Sequence, residues 1–218
     1  MQPFIIVVFI GIDIAGIVVS AILARQRRDA MRQVATRLGL LFDPGRNRVL
    51  PKQYKFLDKL RQGSGRYAFN VLSGRYRDHD IKAFDYHYRT GSGKNTQHHY
   101  ISFFMLQLPK AFVELKIGPE KFFSKVAQAF GYDDIDFESH EFSRKFCVRS
   151  ADKKLAYDVC NAKMIEYLLA NEDLTIEIEA NILAMSFKRR LSPELIEPNL
   201  NRLIKVRSLL PKYLFSGR

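Results

Sequence analysis

The stretch HDIKAFDYHY, residues 79–88, is the part of the sequence that decides the fold. Phe84, Tyr86 and Tyr88 alternate with polar residues, which places the three aromatic rings on one face of a β-strand. Similar segments rich in Tyr, Phe and Ile lie on both sides, separated from it by turns that contain glycine. They are RYAFNVL at residues 66–72 and HHYISFFMLQL at residues 98–108. This pattern predicts three consecutive strands of an antiparallel meander.

Downstream of the meander the sequence mixes helical and strand patterns. We predict a helix at residues 119–130, a strand at 142–149, a helical stretch at 152–169 and a hairpin with arms at 174–179 and 182–187. A final helix should begin at Ser192 and Pro193, and Pro198 should divide it. The apolar tail at residues 209–215 should pack on the domain or touch a bilayer. This mixture predicts an α+β fold, with a mainly antiparallel sheet and packed helices.

Upstream of the meander, residues 4–23 read FIIVVFIGIDIAGIVVSAIL, which is long enough to span a ~30 Å hydrocarbon layer as a helix. The only charged residue in this stretch is Asp13. Insertion into a membrane gains about 0.5 kcal/mol for each apolar residue, and together these gains outweigh the ~3 kcal/mol cost of one central Asp. A cleaved signal peptide fits less well, because no basic residue precedes the run and no small-x-small site ends it. We therefore predict an N-terminal transmembrane helix at residues 4–23.

Basic residues follow this apolar run on its C-terminal side, at Arg25, Arg27, Arg28, Arg32 and Arg37. The positive-inside rule places that side in the cytoplasm and the N-terminus outside. Arginines beside a membrane helix are also attracted to anionic lipid headgroups, by about 1 kcal/mol per residue. We therefore predict that these five arginines bind the surface of an anionic bilayer.

The region between the anchor and the meander, residues 24–65, should form a basic juxtamembrane helix and a linker. Met31, Val34, Ala35 and Leu38 repeat at helical spacing, and Gly39 is placed to end that helix. Glycines and prolines then surround an apolar segment at residues 54–60, which predicts a short helix between two loops. The cytoplasmic α+β domain should occupy residues 66–218.

The apolar helix also carries a pattern that favours contact between membrane helices. Small residues repeat four positions apart on either side of the ionisable Asp13, as they do in transmembrane helices that pack closely. The residues concerned are Gly11, Asp13, Ala15, Gly16 and Ser20. They predict a homo-oligomer through the anchor or pairing with another membrane protein, whereas a helix that simply tolerates one Asp is the alternative.

Composition argues against several other classes of protein. The chain has only Cys147 and Cys160 and no Asn-x-Ser/Thr sequon, which favours a reducing compartment with both cysteines as buried thiols. Its net charge is +12, but it has no nucleic-acid recognition motif, so we predict no nucleic-acid partner. No metal-ligand spacing is diagnostic, and we predict neither a bound metal nor a cofactor.

Two features near the middle strand could carry chemistry. Residues 90–95, TGSGKN, resemble a phosphate-binding loop superficially but lack its spacing, so a hairpin turn is the better interpretation. Four residues around that turn, Asp85, His87, His98 and His99, could converge as an acid–base or metal cluster if the strands pair. Exposed histidines at strand ends are the simpler interpretation.

The stretch from Ile135 to Leu169 resembles a bacterial family known only as a domain of unknown function. Two motifs carry the resemblance. One is Phe84-Asp85-Tyr86, and the other is a block that matches at Glu138, Ser139, Glu141, Phe142, Phe146, Val148, Asp152, Ala156 and Met164. The resemblance implies an N-terminal membrane helix and a bacterial inner-membrane location, and it brings no catalytic residue.

Two functions follow from the sequence. The first is a membrane-tethered cytoplasmic domain without enzymatic activity, which binds or scaffolds a membrane or cytoplasmic protein partner or anionic lipid headgroups. The alternative is a membrane-associated enzyme with its active site near Asp85, His87, His98 and His99. A deep pocket in which those side chains converge would favour the enzyme.

Overall fold

The computed structural model describes residues 2–119 and 134–216, with the backbone alone for residues 2–17. A six-stranded sheet forms the centre and helices cover both of its faces, which confirms the predicted α+β fold. The helices are α1 (Gln2–Arg37), α2 (Leu50–Gln53), α3 (Asp58–Arg61), α4 (His140–Lys145), α5 (Lys153–Val159), α6 (Ala162–Leu169) and α7 (Pro193–Leu209). The strands are β1 (Leu41–Asp43), β2 (Ser64–Tyr76), β3 (His79–Thr90), β4 (Gln97–Pro119), β5 (Phe146–Ser150) and β6 (Ile176–Phe187).

The sheet has the order β1-β2-β3-β4-β5, with β6 also paired to β4, and the described pairs are antiparallel. The predicted meander is confirmed as β2, β3 and β4, and each strand is longer than its apolar segment suggested. The register between β3 and β4 places Asp85 opposite Ser102. The predicted hairpin turn is confirmed as well, because Thr90 pairs with Gln97 across it.

Strands β4 and β6 both double back on themselves. Ser102 pairs with Phe187 near the end of β6, whereas Ile117 pairs with Ile176 at its start. The backbone N–H of Ser186 donates to the carbonyl of Thr175, as expected for the two arms of the predicted hairpin. Strand β4 pairs with both arms of this hairpin, so it bends together with β6.

The two faces of the sheet build two separate cores. On one face, Phe84 and Tyr86 of β3 lie under α2 and α3 in the smaller core, and Tyr88 packs at its edge, so the predicted aromatic face is confirmed. On the other face, Ala83 belongs to the larger core, which contains residues from α4 to α7. Met31 and Ala35 bury the C-terminal half of α1 in that larger core.

Helix α1 is continuous and ends as predicted before Gly39, whose φ of +69° suits glycine. Within the described residues, no helix is long and apolar enough to cross a membrane. Going backward along α1, Arg37 pairs with Glu197 inside α7, and Arg27 then contacts Leu191, which precedes α7. The N-terminal half of α1 therefore leaves the domain at the end where α7 begins.

Several predicted elements differ from the structure. Phe142 lies in α4 and not in a strand, because Ser139 caps a helix by accepting from the Phe142 N–H. Phe142 and Phe146 then stack at 5.3 Å, a spacing of four residues that fits a helical turn as well as a strand. Pro198 does not divide the last helix, since α7 continues through it.

Three further predictions concern segments near the domain boundaries. Where the sequence predicts one short helix at residues 54–60, the structure has two, α2, which ends just before this segment, and α3, which begins within it at Asp58. The helix predicted at residues 119–130 lies outside the described residues, apart from Pro119, which ends β4. The C-terminal tail packs on the domain, where the ring of Phe215 meets that of Phe112 at 5.5 Å.

Candidate functional site

Asp85 is completely buried in the middle of β3 and holds three donors from three different parts of the chain. Its Oδ2 atom accepts from Arg27 at 2.9 Å and from the Asn70 side chain at 2.8 Å. Its Oδ1 atom accepts from the backbone N–H of Leu191 at 2.6 Å. The Arg27 guanidinium also donates to the Leu191 carbonyl at 2.6 Å. We call these four residues the Asp85 cluster.

A local irregularity in β2 makes this arrangement possible. The register between β2 and β3 shifts between Phe69 and Leu72, and Asn70 has a φ of 50°. Asparagine tolerates this left-handed conformation better than most residues, and here its buried amide turns toward Asp85. The cluster thereby joins β2, β3, α1 and the segment before α7. A buried charge with a matched cation and neutral donors is stable, whereas one without partners is costly.

The histidines predicted near Asp85 divide between the two faces of the sheet. His87 Nε2 lies 2.9 Å from His98 Nδ1, and the His87 ring stacks on Tyr67 at 4.5 Å. His99 is on the opposite face, where it contacts Thr90 at 2.7 Å and stacks on Tyr88. Burial lowers the pKa of His87, which favours the neutral form of its ring.

The proposed acid–base cluster is therefore only partly assembled. His87 and His98 meet, but the Asp85 carboxylate is occupied by Arg27, Asn70 and Leu191. Arg190 lies over the nearby ring of Tyr100 at 3.9 Å. This face thus presents aromatic rings, a histidine pair and an exposed cation, without the orienting carboxylate that an acid–base mechanism would use.

A cavity of about 620 Å³ adjoins the Asp85 cluster. Leu191, which donates to Asp85, is one of its lining residues, and so is Ser102, which pairs with Asp85 across the strands. The other described lining residues come from the doubled-back strands, from the segment after β6 and from α7. They are Phe104, Pro119, Asp173, Thr175, Ser186, Phe187, Lys188, Arg189, Arg190, Ser192, Leu195, Asn199 and Arg202.

A second buried charged group, which we call the Lys116 cluster, consists of Lys116, Asp58, Glu114 and Glu177. Carboxylate oxygens of its three acids lie within 4.8 Å of one another, close enough to hold a metal ion. The Lys116 ammonium already fills this role, since it contacts Asp58 and lies 2.6 Å from Glu114. Burial raises the pKa of Glu177 to about 8, although the Asp58 N–H donates to it at 2.7 Å. The cluster thus clamps α3 to β4 and β6.

The five arginines predicted to bind the membrane surface have different surroundings. Arg27 points into the domain, with 28% of its side chain exposed, and we leave it out of the proposal for lipid binding. Arg32 pairs with Asp29 at 2.9 Å, and Arg37 pairs with Glu197 at 3.0 Å. Arg25 and Arg28 are exposed on α1. For these four residues, contact with headgroups stays a prediction.

The residues predicted to associate within the membrane are only partly described. Ser20 is exposed on α1, whereas the side chains of Gly11, Asp13, Ala15 and Gly16 lie outside the described part. Both cysteines are buried thiols, as predicted, and burial raises the pKa of Cys147 to about 12.

Comparison with known proteins finds similarity in structure but not in sequence. No protein-family model matches the sequence. No curated protein is significantly similar to it. The crystal structure of the mycobacterial trehalose monomycolate transport factor A, TtfA, is similar, with a TM-score of 0.60 over 86% of this chain and 97% of that chain. Sequence identity is 12%, so the match shows a shared fold and does not establish a shared function.

Proposed function

We propose that this protein is a membrane-tethered binding domain. Residues 4–23 form its transmembrane anchor, the N-terminus lies outside, and the α+β domain binds its ligand on the cytoplasmic side. The observation that carries this proposal is the Asp85 cluster, because it fixes the helix that continues from the anchor to the centre of the sheet. In bacteria this places the protein in the inner membrane.

The position of Arg27 determines how far the domain lies from the bilayer. Arg27 lies four positions after Leu23, the end of the proposed anchor, and this spacing is about 6 Å along a helix. Arg27 contacts Leu191, so the cavity that Leu191 lines lies close to the point where the helix would enter the membrane. A buried ion pair with additional donors holds one geometry, so the domain keeps a defined face toward the bilayer.

Charge and fold give further support to the proposal. Lys188, Arg189 and Arg190 line the cavity near the bilayer, and Arg25 and Arg28 are exposed on the same helix that leads to the anchor. Cations in these places attract anionic lipid headgroups. The protein with a similar fold is described as a transport factor, and by analogy we propose a role in transport at the membrane.

Topology tests the proposal directly. A reporter enzyme that works only in the cytoplasm, fused after Arg218, should be active. A cysteine introduced before Phe4 should react with a membrane-impermeant maleimide on intact cells, and the two buried native thiols keep the background low. Activity of a periplasmic reporter at the C-terminus would contradict the proposal.

Association through the anchor is tested separately. A transmembrane association assay should compare the native segment with Asp13→Ala and Gly16→Ile. A homo-oligomer requires the native segment to associate more strongly than both variants, since each removes a polar or small contact between helices. Equal association of all three would mean that the anchor is only a tether, or that it pairs with a different protein.

A further inference from the structure

The cavity beside the Asp85 cluster has the size of a ligand site. Its volume of about 620 Å³ lies within the range of roughly 300–1,000 Å³ that small-molecule sites occupy. Phe104, Phe187, Leu191 and Leu195 provide apolar lining, so part of any ligand must be hydrocarbon. Ser102, Thr175 and Ser186 are buried lining residues that carry hydroxyl groups, which can bond to oxygen atoms of a ligand.

The charge of the lining selects the other part of the ligand. Among the described lining residues, one is acidic, Asp173, and four are basic: Lys188, Arg189, Arg190 and Arg202. Arg202 holds Asp173 through both of its terminal nitrogens, which neutralises that acid. Asp173 therefore does not neutralise Arg189 and Arg190, which lie on the segment between β6 and α7. Arginine is well suited to bind phosphate or carboxylate groups.

One of these cations is held in place by an aromatic ring. The Arg190 guanidinium lies 3.9 Å from the ring centre of Tyr100 and 5.9 Å from that of Phe69. Stacking of this kind restricts the side chain, so less entropy is lost when a ligand binds. The cationic side of the cavity is thus partly organised before the ligand arrives.

We propose that this cavity binds a single-chain anionic amphiphile, with its anionic head at Lys188, Arg189 and Arg190 and its chain along Phe104, Phe187 and Leu195. The inference deepens the proposed function, because a cavity near the bilayer would take such a molecule from the membrane. A fatty acid and an alkyl phosphate share the required chemistry. The binding itself depends only on the domain, so it can be measured whether or not the topology is as proposed.

The chain contains no tryptophan, so one introduced tryptophan can report on the cavity alone. Leu195 is a suitable position, because it lines the cavity and is 52% exposed. Tyr213 is the matched control, since it is also exposed but follows the far end of α7. The full chain with Leu195→Trp or Tyr213→Trp is placed in phosphatidylcholine vesicles with the domain outward.

Octyl phosphate is then titrated while tryptophan emission is recorded. We expect a saturable shift with Leu195→Trp and none with Tyr213→Trp. Octyl glucoside, which has the same chain and an uncharged head, should bind at least about tenfold more weakly, as should inorganic phosphate, which lacks the chain. An equal response of both tryptophans would overturn the inference, and so would an affinity for octyl glucoside or for inorganic phosphate equal to that for octyl phosphate.

A second experiment removes positive charge from the cavity. Arg189→Gln combined with Arg190→Gln in the Leu195→Trp background should weaken octyl phosphate binding about tenfold and leave octyl glucoside unaffected. Lys153→Gln combined with Lys163→Gln removes the same charge from exposed positions on α5 and α6, and should change neither. If both pairs weaken binding equally, a general charge effect replaces the proposed site. If octyl phosphate binds but the reporters contradict the proposed topology, only the membrane tether is rejected. If the reporters agree with the topology but octyl phosphate does not bind, only the cavity is rejected as a ligand site.

Discussion

The Asp85 cluster and the Lys116 cluster are both buried groups of charges, but they are built in opposite ways. In the first, one carboxylate receives three donors that come from β2, α1 and the segment before α7. In the second, three carboxylates lie around the Lys116 ammonium, Arg61 also pairs with Asp58, and burial raises the pKa of Glu177 to about 8. Only the Asp85 cluster includes α1, the helix that contains the proposed anchor.

The two clusters therefore have different roles, because one connects α1 to the domain and the other only stabilises the fold. Donors and charges are matched around Asp85, so removal of any partner leaves a buried group without its bonds. In the Lys116 cluster, burial already disfavours the charged form of Glu177, so this cluster should tolerate, and even gain from, the loss of that charge. The first cluster therefore fixes the orientation of α1, and the second fastens α3 to the sheet.

The largest effect should come from Asp85→Ala. It leaves Arg27, Asn70 and the Leu191 N–H without their acceptor, and breaking a buried ion pair in this way costs about 3–5 kcal/mol. Thermal unfolding of the purified chain, followed by circular dichroism, measures the loss. Asp80→Ala, at an exposed position of the same strand, is the control and should stay within about 0.5 kcal/mol of the native protein. If Asp85→Ala and Asp80→Ala lost equal stability, the result would contradict the role given to the Asp85 cluster.

An intermediate effect with a defined pH dependence should follow from Glu177→Gln. The folded protein holds the Glu177 proton at pH values where the unfolded chain has lost it, so native stability falls as pH rises from about 5 to 8. Glutamine keeps an oxygen for the Asp58 N–H and carries no charge. The variant should therefore gain at least about 1 kcal/mol relative to the native protein between pH 5 and pH 8.

The same unfolding scans, run at both pH values, would show this gain as a rise of about 2–4 °C in relative Tm. Burial lowers the pKa of Lys59 to about 8, and that group adds stability only as pH rises above this value. His79, His87 and Glu179 also have shifted pKa values, but they are present in both proteins, so the difference between variant and native protein reports on Glu177. A difference between variant and native protein that does not change with pH would contradict the raised pKa.

The smallest effect should come from Arg37→Gln, which breaks the pair between α1 and Glu197. The Arg37 side chain is 62% exposed, and exposed ion pairs contribute about 0–1 kcal/mol. The variant therefore compares two contacts of the same helix, because Arg27 and Arg37 both connect α1 to the region of α7. A loss as large as that of Asp85→Ala would mean that the exposed pair, and not the buried one, fixes the helix.

The sequence predicts the parts of this fold that depend on neighbouring residues. Alternation in Phe84, Tyr86 and Tyr88 identifies β3, and the helical stretch predicted from residue 152 is observed as α5 and α6. Phe142 is predicted wrongly, because its spacing from Phe146 fits a strand or a helix, and the capping by Ser139 decides between them.

Contacts between distant residues could not be predicted in the same way. Asp85 and Leu191 are 106 positions apart, and nothing in the local pattern connects them. One signal was present, because Asn70 interrupts the apolar run of its strand and a polar residue there requires a partner. The Lys116 cluster was missed because its members come from three elements whose pairing depends on the doubled-back strands.

The central claim is that the Asp85 cluster holds the cavity toward the bilayer. Leu195→Trp and Tyr213→Trp report the two ends of α7, which are separated by about 25 Å along the helix. In vesicles whose lipids carry nitroxide headgroups, Leu195→Trp should be quenched strongly and Tyr213→Trp weakly, and adding Asp85→Asn should reduce the contrast. Equal quenching of the two tryptophans in the otherwise native protein, or stronger quenching at position 213, would contradict the account.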